Sequence, residues 1–64
     1  MASRPTRTAV CILRVELESR GLVITMTVNR DIANANAERV ARFSSTREAA
    51  AAVTAFLESF DRTG

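Results

Sequence analysis

The chain has 64 residues and a formal net charge of +2, so it can form one small domain at most. All its cations are Arg; it has no His, Lys, Trp or Tyr, and its one Cys is Cys11. This composition excludes an intrachain disulfide and argues against a structural zinc site, and we expect no metal and no cofactor. Because a chain of this length buries only about 60% of its unfolded surface, we expect a second chain to stabilise it.

The excess charge lies at the start of the chain. Residues 1–7 contain Arg4, Arg7 and a proline but no acid, whereas residues 8–64 contain seven Arg and seven acids. We therefore predict a disordered basic arm over 1–7 and a single α+β domain over 8–64. The apolar run at 9–13 is too short for a secretory signal or a membrane span, so we expect a cytoplasmic protein without a membrane partner.

Two alternating segments predict a β-hairpin. Within 8–19, every second residue from Ala9 to Leu17 is apolar. Within 22–32, the same holds from Leu22 to Val28, and Gly21 lies between the two segments. Two registers keep the apolar faces together. One uses a two-residue Arg20–Gly21 loop and pairs Val15 with Met26, and the other uses a four-residue loop and pairs Val15 with Ile24.

The last third of the chain predicts a helix over 45–61. Ser45 and Glu48 have the spacing of a capping box, in which the hydroxyl accepts an amide hydrogen bond and the carboxylate reaches back. The packing face should follow at three- and four-residue intervals: Ala49, Val53, Phe56, Leu57 and Phe60.

The segment between hairpin and helix is open to two interpretations. Residues 33–37 read as a loop or turn, and 38–43 fit either a short strand with Val40 facing inward or one helical turn. We favour the strand, because a two-stranded hairpin alone is only marginally stable. The predicted fold is α+β, a small antiparallel sheet packed by one C-terminal helix in β-β-β-α order.

The side chains available make an enzyme improbable on chemical grounds. Without His, Lys or Tyr, the usual general bases and the Schiff-base amine are missing. Glu16 and Glu18 share a strand face, but beside Arg14 they read as a solvated surface. Cys11 falls on the apolar face, where a thiol is usually inert. We therefore expect no catalytic residues.

Nucleic-acid binding is the alternative function that the sequence allows. The residues that would carry it are Arg4 and Arg7 of the arm together with Arg39 and Arg42. Against it stand the neutral body and the three Phe residues, which suit a core better than base stacking. We attribute the Arg-only cations and the eleven Ala to the codon usage of a GC-rich genome, and we expect a bacterial protein.

Self-association has more support. Val10 and Ile12, with Val23 farther along, lie on the sheet face opposite the predicted core, where one helix gives no cover. We therefore predict a small protein-protein interaction or accessory module, acting as a homodimer. The second chain would pair along that edge or pack on that face.

Overall fold

The computed structural model describes residues 7–63 and has the predicted β-β-β-α arrangement, one open antiparallel sheet followed by a single helix. Its elements are β1 (Val10–Glu18), β2 (Gly21–Asn29), a 3-10 turn (Ala35–Ala37), β3 (Glu38–Phe43) and α1 (Thr46–Thr63). The strand order is β1-β2-β3, so β2 is central and β1 and β3 form the two edges.

The hairpin adopts the second of the two predicted registers. Val15 lies opposite Ile24, and because Glu18 also pairs with Gly21, only Ser19 and Arg20 remain in the turn. Gly21 has a φ of +128°, a backbone conformation that side-chain-bearing residues rarely adopt. The glycine is therefore needed at the end of the turn rather than within it.

Short polar side chains hold the connection between β2 and β3. The Asn29 Oδ1 accepts from the amide of Asp31 at 2.8 Å, and the Asn34 Oδ1 accepts from the amide of Asn36 at 3.0 Å. Such Asx hydrogen bonds compete with a strand ladder, so β2 ends at Asn29 rather than continuing to residue 32.

The helix begins after Ser45, whose Oγ accepts from the amide of Glu48 at 3.1 Å, as the capping spacing predicts. The Glu48 carboxylate also reaches back, but it accepts from the Ser45 hydroxyl at 3.3 Å rather than from the backbone amide. The cap therefore couples the two side chains directly and fixes where the chain leaves the sheet.

The core lies between β2 and α1. Its buried hydrophobic residues are Ile24, Met26, Val28, Ala49 and Phe56. The side chains packed around it include Cys11, Phe43 and Val53. The core residues of β2 all point to the helix side of the sheet, and within residues 7–63 no element packs on the opposite face.

Two packing expectations are wrong. Leu57 is 58% exposed, because Phe56 and Ala49 define the side of α1 that meets the sheet, and Leu57 lies about a quarter turn away. Val40 is also 58% exposed and lies on the outer face, opposite Thr27. Since side chains alternate along a strand, Val40 and Phe43 cannot both face inward, and Phe43 takes the helix side.

Candidate interaction surface

The helix side of β1 carries a row of large apolar side chains that α1 does not cover. Leu13, Val15 and Leu17 lie on the same face as the core but are 48%, 60% and 83% exposed. The helix packs over β2 and β3 instead. A helix is about 10 Å wide and strands are about 4.8 Å apart, so one helix covers about two strands. That geometry predicts from the sequence that one strand of three stays uncovered, although it does not say which one.

An apolar groove separates this row from the helix. Its volume is about 380 Å³, and β1 and β2 contribute one wall while the first half of α1 contributes the other. Its lining is almost entirely aliphatic: Leu13, Val15, Leu22, Ile24, Thr46, Ala49, Ala50 and Val53. The groove and the exposed row form one continuous apolar surface, which we call the β1 surface.

A second groove, of about 290 Å³, lies on the other side of the helix, toward β3. Arg30 and Arg39 line it together with apolar residues such as Ala55 and Phe56. Arg30 donates to the Ser59 Oγ and lies 5.8 Å from the centre of the Phe56 ring. Its charge is therefore engaged in holding the end of α1 to the sheet.

The outer face of the sheet has a smaller apolar spot. Val10 and Ile12 are exposed there, as the sequence predicts, and Val40 joins them, since Ile12 and Val40 both lie opposite Thr27. Val23 lies opposite Glu16, toward the turn end of the hairpin. The structure thus groups Val10 with Ile12 and leaves Val23 apart. Val40 joins the group through the β2–β3 register, which the sequence pattern does not predict.

The charged residues of β1 lie on that same outer face. An Arg14 Nη lies 3.4 Å from a carboxylate oxygen of Glu16, and the two side chains are 74% and 43% exposed. Glu16 and Glu18 share this face of an edge strand, with Arg14 beside them. The ion pair is exposed to solvent at the surface. Along the outer face of β1, the charged residues follow in the order Arg14, Glu16, Glu18.

The four arginines of the nucleic-acid hypothesis do not form one patch. Arg4 lies outside the described residues, and the Arg7 guanidinium lies 5.3 Å from the centre of the Phe60 ring. Arg42 lies opposite Thr25 on the outer face, whereas Arg39 lies on the helix side, where it donates to the Glu38 carbonyl at 2.8 Å. Recognition of a nucleic-acid phosphate backbone needs cations along one surface, whereas Arg39 and Arg42 lie on opposite faces of the sheet.

Nothing in the described part of the chain resembles a metal centre, since residues 7–63 contain no group of three His, Cys, Asp or Glu that could hold an ion. Cys11 is a half-buried free thiol at the edge of the core. Within the same residues, no helix combines the length and the apolar character needed to cross a membrane.

Comparison with known proteins gives no match: no protein-family model, no curated protein and no solved structure is similar to the chain. Among the surfaces of the chain, the uncovered apolar row of β1 is the one that bears most directly on function.

Proposed function

We propose that the chain is a non-enzymatic protein-protein interaction module of the cytoplasm, an accessory or regulatory subunit that acts as a homodimer. One observation carries the proposal. Leu13, Val15 and Leu17 continue the apolar face of the core, yet the chain's own helix leaves them exposed. A protein of this size is only marginally stable. An exposed apolar row on the edge strand of its sheet is a site where a second chain can bind.

Burial of the exposed apolar row of β1 favours association of two chains. Fully burying a Val or Leu side chain is worth about 1.5–3 kcal/mol relative to leaving it exposed. Leu13, Val15 and Leu17 are each about half exposed or more, and a two-fold dimer that brings the two rows together would bury part of this surface in both copies. The summed gain is comparable in size to the cost of association, about 4–15 kcal/mol, so a dimer is within reach of this surface.

The chemistry of the chain supports a binding role over catalysis. Three of its acids, Glu48, Glu58 and Asp61, are exposed on α1, and the half-buried Glu16 is ion-paired with Arg14. Cys11 is held against the core, and its free thiol suits a reducing compartment.

Sedimentation velocity tests the proposal with a matched pair of variants. Val15 and Val40 are both on edge strands and are 60% and 58% exposed, so arginine at either position should leave the folded chain intact. We expect the wild type and Val40→Arg to sediment as concentration-dependent dimers and Val15→Arg to sediment as a monomer. A wild-type chain that remains monomeric at high micromolar concentration would contradict the proposal.

A further inference from the structure

The outer edge of β1 is open along its whole length. One side of the strand pairs with β2 over all nine residues, from Val10 to Glu18, and no strand within residues 7–63 pairs with the other side. Such an edge presents backbone N–H and C=O groups in the spacing that another strand needs.

We infer that a second copy of this chain pairs antiparallel with this edge, about a two-fold axis at Val15, and extends the three-stranded sheet to six strands. The inference rests on the homodimer proposed above and adds the pairing and its register.

The alternation of side chains restricts where the axis can lie. An axis midway between two residues would place the apolar row of one copy beside the charged row of the other. An axis at a residue keeps like faces together, so the helix side of both copies forms one continuous apolar face. The axis must therefore coincide with a residue of β1.

The charges of β1 select among these axes. An axis at Val15 places Arg14 of each copy directly opposite Glu16 of the second copy, which forms two cross-strand pairs of opposite charge. An axis at Arg14 or at Glu16 would place that residue opposite its own like charge. An axis at Leu17 would place Glu16 opposite Glu18 of the second copy.

The apolar row fits the same register. With the axis at Val15, the two Val15 side chains lie opposite each other, and Leu13 lies opposite Leu17 of the second copy. Opposite Cβ atoms in such pairs are about 4.5–5.5 Å apart, which is contact distance for these side chains. An axis at Leu13 would instead leave Arg14 opposite Ile12, with no pair of opposite charges.

The edge of β3 is the competing site for a second copy. An axis at Val40 would also place opposite charges together, Glu38 and Arg42. However, β3 has six residues to the nine of β1, and Val40 is its one large exposed hydrophobic residue. Arg39 and Ala41 occupy the helix side of that edge beside Phe43, so pairing there would bury far less apolar surface.

Single-cysteine cross-linking locates the axis, because a residue on a two-fold axis is opposite itself. In a Cys11→Ala background, Arg14→Cys, Val15→Cys, Glu16→Cys and Val40→Cys would be oxidised, and the fraction of covalent dimer measured. We expect the largest fraction at Val15→Cys. A maximum at Arg14→Cys or Glu16→Cys would overturn the register, and a maximum at Val40→Cys would overturn the choice of edge.

A charge swap tests the register without cysteines. Arg14→Glu and Glu16→Arg should each weaken the dimer by about tenfold, because each replaces two attractive pairs with two repulsive ones. The double swap should restore the dissociation constant, whereas an axis at Arg14 or Glu16 would keep like charges opposite and give no recovery.

The two proposals fail in different ways. The homodimer itself would be contradicted if the wild type sedimented as a monomer and none of the cysteine variants gave a covalent dimer. A wild-type dimer with no maximum at Val15→Cys and no recovery in the double swap would overturn only the β1 pairing centred on Val15.

Discussion

The two edge strands of the sheet differ in length, in cover and in the side chains that they expose. β3 is six residues long, carries Glu38, Arg39 and Arg42, and lies beside α1. β1 is nine residues long and exposes three large apolar side chains beside an open groove. Short, charged edges are the usual protection against unwanted strand pairing. The comparison separates a protected edge, β3, from an unprotected edge, β1, where we propose that a second chain binds.

The largest expected effect tests the covered half of the sheet. Phe56 is buried against Met26 and Val28, so Phe56→Ala should lower the free energy of unfolding by about 3–5 kcal/mol. The adjacent Leu57→Ala should cost far less, since Leu57 is mostly exposed. Urea denaturation followed by circular dichroism would measure both. Equal losses at the two positions would mean that α1 also packs over β1, and the contrast between the edges would disappear.

A smaller effect is expected at the start of the helix that covers β2 and β3. Ser45→Ala removes the hydroxyl that accepts from the Glu48 amide and should cost about 1 kcal/mol. Ser44→Ala is the matched control, because Ser44 is exposed and precedes the cap. The difference between their thermal midpoints gives the contribution of the cap. A midpoint for Ser45→Ala equal to that of Ser44→Ala would show that packing alone fixes the start of α1.

The features predicted from the sequence are those that depend on neighbouring residues alone. Period-two alternation placed the hairpin, and the Ser45–Glu48 spacing placed the helix start, because each pattern reflects local geometry. The exposure of Leu17 depends instead on which strands the helix crosses. Two strands are as much as one helix can cover, and the apolar pattern of β1 does not say that β1 is the strand left out.

The candidate interface shows the same limit. The sequence identified Val10 and Ile12 as residues without cover, and the structure leaves both exposed. It gave no reason to separate Val23 from them or to add Val40, because that grouping follows from how β3 pairs with β2. The arginines at 39 and 42 were grouped by closeness in sequence, and an odd spacing along a strand places them on opposite faces.

The smallest expected effect decides how a second chain uses β1, by edge pairing or by packing on the outer face. In the register centred on Val15, residue 12 lies opposite Glu18 of the second copy, so Ile12→Arg adds a pair of opposite charges while Ile12→Glu adds a repulsive one. Cross-strand pairs of this kind are worth about 0.2–1 kcal/mol each, so Ile12→Arg should tighten the dimer and Ile12→Glu should weaken it, and their dissociation constants should differ by a few-fold or more. If the second chain instead packed on the apolar spot around Ile12, both charged variants would bury an unpaired charge and both would dissociate. Dimer dissociation constants from sedimentation equilibrium distinguish the two arrangements, since edge pairing predicts opposite signs for the two substitutions and face packing predicts the same sign.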